Sequence, residues 1–344
     1  MGDESIGPIA ALERIAYLME RSRSATPKVK AFRKAAATLR AMSHADVAAR
    51  VGSGTLTSLP GIGASTGAVI TQAVNGERPT RLVEMEAEAG PLATGGEDLL
   101  ELLRGDLHSH SDWSDGGSPI DEMARTARDV IGHDYLVLTD HSPRLAVANG
   151  LSAARLREQL DVVAALNEEL APFRLLTGIE VDILDDGGLD QTEELLGQLD
   201  VVVASVHSKL RMPRPEMTKR MVAAVGNPHV DVLGHCTGRL VTGDRGKRPE
   251  SDFDAEAVFT ACRDHGVAVE INSRPERSDP PGRLIELALE IGCVFSIDTD
   301  AHAPGQLEFQ AYGCARAADH GVPANRVVNA LLADDLLAWA NRGG

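Results

Sequence analysis

Two spacings of apolar residues divide the chain. Through the first ninety residues the spacing is helical. Ile9, Leu12, Ile15, Leu18 and Met19 predict one amphipathic helix over 9–19, and Phe32, Ala35, Ala36, Leu39 and Met42 a second over 29–42. Lys28, Lys30, Arg33, Lys34 and Arg40 fall mostly off the second apolar face. The turn Leu59-Pro60-Gly61-Ile62-Gly63 leads into a third helix over 64–74, which Asn75-Gly76 ends. Beyond residue 105 the pattern changes. Short runs rich in β-branched residues predict strands at 106–110, 135–139, 175–181, 201–206, 230–234, 267–271 and 294–297. Amphipathic stretches at 119–130, 153–170, 217–225, 254–264 and 284–291 lie between them. Repeated strand–helix units build a parallel sheet, and seven in about 240 residues predict a TIM-like barrel one unit short of eight. Gly, Pro, Ala and acids over 87–98 read as a linker. The expected organisation is α/β: a small all-α domain over 1–90, a linker over 91–104 and a barrel over 105–344.

Composition narrows the class. The chain has 344 residues, 43% apolar and 25% charged, enough for two domains with a buried core and incompatible with wholesale disorder. Aromatics are only 3%, so aliphatic residues and Ala must build that core. No apolar run approaches the ~20 residues of a membrane span. The start, MGDESIGPIA, lacks the basic-then-apolar pattern of a secretory signal. Cys236, Cys262, Cys293 and Cys314 are widely spaced and form no CxxC, so reduced thiols and a cytoplasmic setting are expected. The formal net charge is −17, unevenly spread: residues 1–90 carry +2 and the remainder −19. A mildly basic head therefore precedes a strongly acidic body, which argues against a broadly basic nucleic-acid surface.

The histidines carry the chemistry. Of eleven, six stand at or just past the C-terminal end of a predicted strand: His108, His110, His141, His207, His235 and His302. Asp115, Glu180 and Asp300 share those positions. His44, His133, His229, His265 and His320 lie elsewhere and read as structural. In an α/β barrel the strand C-termini form the active face. His108 and His110 are two apart on one strand and so point the same way, and Asp300 and His302 repeat the spacing after the last strand. One histidine at a strand end is ordinarily a polar rim residue, but nine convergent ligand-type groups are not. Imidazoles with carboxylates suit zinc, manganese or iron better than magnesium or calcium. Nine ligands exceed the needs of one ion, so two or three divalent metal ions are expected. Imidazoles ligate when neutral, so activity should fall at acidic pH.

At this point the residues resemble a family. Gly105-Asp106-Leu107-His108-Ser109-His110-Ser111 with Ser114-Asp115-Gly116 is similar to the first motif of the PHP (polymerase and histidinol phosphatase) superfamily. Leu138-Thr139-Asp140-His141-Ser142 and Gly178-Ile179-Glu180-Val181-Asp182 are similar to its second and third. Ser205-Val206-His207-Ser208, Leu233-Gly234-His235 and Asp298-Thr299-Asp300-Ala301-His302 resemble the rest. The resemblance runs from about 105 to 340, with all nine ligand positions filled in order. It implies a distorted (β/α)₇ barrel and a trinuclear centre that hydrolyses phosphoesters. By position, His108, His110, Glu180 and Asp300 would hold one ion. Glu180, His207 and His235 would hold a second, and Asp115, His141 and His302 a third. Asp115 stands where some members have His.

The branch most resembled is the PHP domain of bacterial family X DNA polymerases, which act as 3′–5′ exonucleases. Ser208-Lys209-Leu210, Thr218-Lys219-Arg220 and Glu270-Ile271-Asn272-Ser273-Arg274-Pro275 are similar to it, and the head resembles the helix-hairpin-helix domain of the same polymerases. Two departures stand out. About fifteen residues separate head from barrel, too few for a polymerase palm. Relatives with lyase activity carry a Schiff-base Lys where this chain has Val69, and 64–74 holds no Lys, so lyase activity is not expected.

The leading expectation is a metal-dependent phosphoesterase, a 3′–5′ exonuclease or DNA end-processing enzyme. The alternative is a small-molecule phosphatase of the histidinol-phosphate or nucleotide type, and a third is a DNA-binding module with structural metals. Glu180 and Asp300 are the expected catalytic carboxylates. Arg144, Lys209, Arg211 and Arg274 follow ligand strands and are candidate clamps for phosphate oxygens. Trp113 would stack a terminal base or pack the rim, and Cys236 reads as a packed thiol. Lys28, Lys30, Arg33 and Lys34 with the hairpin glycines Gly61 and Gly63 are the candidate DNA contacts, because a helix start presents N–H groups to phosphate. The partners expected are DNA ends or a small phosphoester, no membrane, and a separate polymerase supplying the missing palm.

Overall fold

The computed structural model describes residues 5–243 and 246–341. The chain divides into two compact units after Pro91. The first is helical: α1 (Pro8–Arg21), α2 (Thr26–Arg40), α3 (His44–Gly52), α4 (Ala64–Val74) and α5 (Thr80–Glu88). The second has seven strands, β1 (Gly105–Ser109), β2 (Tyr135–Leu138), β3 (Arg174–Asp182), β4 (Val201–Ser205), β5 (Val232–Leu233), β6 (Ala268–Asn272) and β7 (Phe295–Asp298). Its helices are α6 (Glu97–Leu100), α7 (Ile120–Thr126), α8 (Ala153–Leu170), α9 (Glu193–Leu196), α10 (Arg214–Val225), α11 (Ala255–His265), α12 (Gly282–Ile291), α13 (Gln310–Asp319) and α14 (Ala333–Ala340).

In the first unit the predicted apolar faces make the core. Leu12, Ile15 and Met19 of α1 are buried with Phe32 and Leu39 of α2, Ile70 of α4 and Leu82 of α5. Glu20 is buried too, and Arg33 reaches it with Nε and Nη2 at 2.8 Å each. Such a two-pronged ion pair locks α1 to α2. Arg33, expected to face DNA, is therefore spent on the fold, whereas Lys28, Lys30 and Lys34 are exposed. α3 and α5 carry too few periodic apolar residues to be read from spacing; Ser43 starts α3 by accepting the Asp46 N–H.

The hairpin before α4 explains its glycines. Gly61 has φ +88°, and an added Cβ would lie 2.8 Å from Lys34 Cγ, so the lysine stem crosses the turn there. Thr38 Oγ1 donates to Pro60 O and holds the hairpin against α2. Gly63 caps α4, but its own N–H donates to Thr66 Oγ1 at 3.0 Å. That donor, expected to meet phosphate, is already engaged. Val69 is buried in α4.

In the second unit all seven strands are parallel and pair in sequence order, β1 to β7. A bridge from Ser109 to Ala301, with the His110 N–H donating to Ala301 O at 2.8 Å, brings the first strand to the last and nearly closes the barrel. Parallel strands put every C-terminus at one end, which is what gathers the ligand-type residues. The strands occur where the apolar runs predict them, but β5 is only two residues long. The stretch 119–130 forms α7 and then a π-helical turn, Ala127–Ile131. α13 and α14 were not legible, because Ala, Gly and polar residues blur their periodicity. Nor does the linker reading hold to its full length. α5 runs to Glu88, and Leu99 and Leu103 are buried in the barrel's core cluster. The four cysteines are buried and unpaired.

Candidate metal centre

Four other strand ends converge on Glu180. This carboxylate is 1% exposed at the end of β3. Its Oε2 lies 3.4 Å from His108 Nε2, 3.6 Å from His110 Nε2 and 2.8 Å from His141 Nδ1. Its Oε1 lies 3.2 Å from His207 Nε2 and 2.8 Å from His235 Nε2. Asp300, after β7, brings Oδ1 to 3.5 Å from His110 Nε2. Nearer the surface, Asp115 Oδ1 lies 3.4 Å from His141 Nε2 and 3.3 Å from His302 Nε2. All nine predicted residues thus form one continuous net. Three overlapping groups within it have donor atoms close enough to share a cation: His110, Asp115, His141 and His302; His108, His110 and Glu180; His141, Glu180 and His207.

The residues fit divalent cations, and the fit shows in their unmet hydrogen bonds. His108 Nε2, His110 Nδ1 and Nε2, His141 Nδ1, His207 Nε2 and His235 Nδ1 are all buried without a hydrogen-bond partner among the described residues. Each such group costs about 1–3 kcal/mol when left bare, and a cation removes that cost. Protonation points the same way. Burial, then the neighbouring His302 and His141, lowers His110 to about 3; burial and Arg277 lower His235 to about 4. Burial opposes ionisation of Glu180, but His207, His108 and His141 outweigh it and hold the carboxyl well below its ordinary value. Burial likewise opposes Asp300 and Asp115, yet Arg277 beside Asp300 and His302 beside Asp115 keep both low. Neutral imidazole and ionised carboxylate are the ligating forms. Burial would lower His207, but Glu180 raises it to about 9, so a cation there displaces a proton.

A further layer orients these groups, and spacing had not singled it out. Glu270, fully buried on β6, places Oε1 2.6 Å from His108 Nδ1, while Oε2 accepts the His235 N–H. Asn272, two residues on, donates Nδ2 to Glu270 Oε2 at 3.2 Å and to Asp300 Oδ2 at 3.1 Å. Asp182 Oδ1 meets His207 Nδ1 at 3.1 Å. Asp140 gathers Ser111, Ser114 and Gln159 behind the first ligand loop. A signal existed: Glu270 and Asn272 alternate with apolar residues in a buried strand, where a carboxylate needs a reason. Replacing Glu270 with Gln should cost 10–100-fold in metal affinity, with Ala costing more, because His108 loses the partner that turns Nε2 toward the centre. Metal content per chain after dialysis against graded chelator measures this.

The expected phosphate clamps fare unevenly. Arg144 is exposed, with Nε 3.8 Å from Asp182 Oδ2. Lys209 is exposed and paired with Asp185, and Arg211 is exposed. Arg274 is not a free clamp: its amines reach Asp300 O, His302 Nδ1 and Glu276. Trp113 is half-buried and packs against the core, while Asn149 Nδ2 donates to its carbonyl at 3.0 Å. Cys236 is buried, with Sγ 3.9 Å from Asp279 Oδ1.

Residues 106–274 match the PHP domain family, and residues 8–79 match a helix-hairpin-helix domain. A probable phosphatase of Thermoanaerobacter sp. (strain X514) is 31% identical over 208 residues, which cover 57% of this chain and 78% of that protein. The chain belongs to the PHP family. As a PHP member it is a metal-dependent phosphoesterase. The DNA polymerase/3′-5′ exonuclease PolX of Bacillus subtilis (strain 168) is 39% identical over 247 residues, or 71% of this chain. That pairing bears out the family X resemblance, although the chain spans only 42% of the polymerase's length. A solved histidinol phosphate phosphatase from Lactococcus lactis subsp. lactis aligns with 64% of this chain and 94% of its own at 17% identity, with a TM-score of 0.48.

Proposed function

We propose that this PHP protein acts on the ends of DNA, as a 3′–5′ exonuclease or end-processing phosphoesterase, with the helical head holding the nucleic acid. One observation carries the reading: a helix-hairpin-helix domain shares the chain with the complete nine-residue ligand set. The ligand sets are His108, His110, Glu180 and Asp300; Glu180, His207 and His235; and Asp115, His141 and His302. Two or three ions of zinc, manganese or iron suit these donors. Bound there, divalent ions supply Lewis-acid charge to phosphoryl oxygens and make water a competent nucleophile near neutral pH.

The protein's own groups do the rest. Glu180 sets its two oxygens between two banks of imidazoles and so fixes their separation. Glu270 and Asp182 hold His108 and His207 by Nδ1 and leave Nε2 for ligation. The centre opens where Asp115, His302 and His207 retain 28%, 23% and 13% of their side-chain surface. Substrate arrives from that side. In the head, Lys28, Lys30 and Lys34 of α2 supply exposed charge, Lys34 beside the Gly61 turn, countering the long-range repulsion of an acidic barrel unit.

A 5′-labelled single-stranded oligonucleotide and protein loaded with Mn²⁺ or Zn²⁺ test the reading. We expect a ladder shortening from the 3′ end that Asp300→Ala abolishes. Asp300-dependent phosphate release from small monoesters, with no ladder, would replace it with the second reading, a small-molecule phosphatase. The Thermoanaerobacter relative favours that alternative. The buried thiols suit a cytoplasmic setting, and no helix among the described residues is long and apolar enough to cross a membrane.

A further inference from the structure

A cation with no role so far stands inside the centre. Arg277 lies on the turn after β6, and the turn is a fixed support. Asn272 N–H donates to Asp279 O at 2.9 Å, Arg274 N–H to Asn272 Oδ1 at 3.1 Å, and the Arg277 and Ser278 N–H groups to Arg274 O at 3.0 Å. Arg239 Nε donates to Arg277 O at 3.2 Å, and Asp279 accepts from Thr237 N and Oγ1 at 3.1 and 2.7 Å. The guanidinium is thereby held with Nε 3.0 Å from Asp300 Oδ2 and 16% of the side chain exposed.

Its two Nη groups have no hydrogen bond to any described residue. Arg144 and Arg211 are exposed, and three other cations are committed. Arg274 is spent on Asp300 O, His302 and Glu276, Lys209 on Asp185, and fully buried Arg220 on Ile183 O and Ser208 O. Nor is Arg277 needed merely to hold Asp300, because Asn272 Nδ2 already donates to the same Oδ2. A guanidinium stays protonated in a protein, and Asp300, Glu180, Asp279 and Glu270 surround this one. Of those carboxylates, Asp300 and Glu180 are the ones that divalent ions engage, while Glu270 and Asp279 stay on His108 and Thr237. With ions in place the guanidinium keeps unused donors, and its planar fork matches phosphate oxygens.

We propose that Arg277 is a catalytic residue that binds the substrate's phosphoryl group through its Nη amines while Nε stays on Asp300. This rests on the phosphoesterase reading of the centre, and not on whether the ester is DNA or a small molecule. The test uses the full chain loaded with Mn²⁺, as wild type, Arg277→Gln and Arg277→Lys. Bound metal per chain, calorimetric affinity for inorganic phosphate, and kcat and KM for a small monoester and an oligonucleotide are measured. Both variants should keep the wild-type metal content. Phosphate affinity and kcat/KM should fall about 10- to 100-fold in Arg277→Gln, the worth of charge-assisted hydrogen bonds. Arg277→Lys, a point charge without the fork, should recover part of that loss. Unchanged phosphate affinity in a metal-replete variant would overturn the proposal. So would metal loss in parallel with phosphate loss, which would make Arg277 a support for Asp300. If the wild type binds phosphate through Arg277 yet cleaves no DNA, the DNA reading fails and the assignment of Arg277 stands.

Discussion

Glu180→Gln is expected to lower turnover about 10³-fold and to strip the protein of most of its bound metal. The size follows from the several kcal/mol that metal charge contributes to a phosphoryl transition state, at 1.36 kcal/mol per tenfold. The reason is position. Five imidazole nitrogens from four strand ends face the two oxygens of this one carboxylate, at 2.8 to 3.6 Å. Gln keeps the shape, but it replaces one oxygen with an NH₂ group that cannot ligate and removes the negative charge between the banks. Neighbouring donors cannot compensate, because they sit on separate strands and packing prevents their approach. Metal per chain and kcat, read on the same preparation, check this. Full metal content with more than a tenth of wild-type turnover would remove Glu180 from the heart of the centre.

The triple variant Lys28→Glu, Lys30→Glu, Lys34→Glu should weaken DNA binding on the order of 10²-fold at low salt and leave small-monoester hydrolysis unchanged. Each lysine lost from a phosphate contact should flatten the dependence of log K on log salt by about one unit, or about three for the set. All three are exposed on α2, and the Lys34 stem lies over the Gly61 turn, so one of the reversed charges stands beside the hairpin. Arg33 is left alone because it holds Glu20; substituting it would unlock α1 from α2 and confuse binding with folding. Binding titrations at three salt concentrations, with monoester turnover as the control, give the answer. Equal loss on both substrates would indicate a damaged fold, and no loss on DNA would end the head's assigned role.

Much of this was legible before any coordinates. Short runs of β-branched residues located the strands and period-3.6 patterns the longer helices, because a residue facing a core must be apolar whatever surrounds it. The nine ligand-type residues were legible for a related reason: parallel strands put their C-termini at one end, so position along the chain becomes position in space. The layer behind them was not. Glu270 and Asn272 stand in a sequence stretch already noticed for its resemblance and Arg277 lies two residues beyond it, but their roles depend on which strand ends lie opposite. Two of the candidate cations, one a clamp and one a DNA contact, were misjudged for the same reason. Arg274 and Arg33 look like free cations in sequence, and each is committed to a partner that only folding brings near, His302 at 28 residues and Glu20 at 13.

By itself, then, the sequence determined the parallel β/α architecture, the helical head and which ligand-type residues meet at one rim, since all three follow from local periodicity and strand polarity. Tertiary structure alone decided which nitrogen of each ring is free and which arginine keeps open donors. Those are properties of distances between strand ends and loops, and no spacing along the chain encodes them.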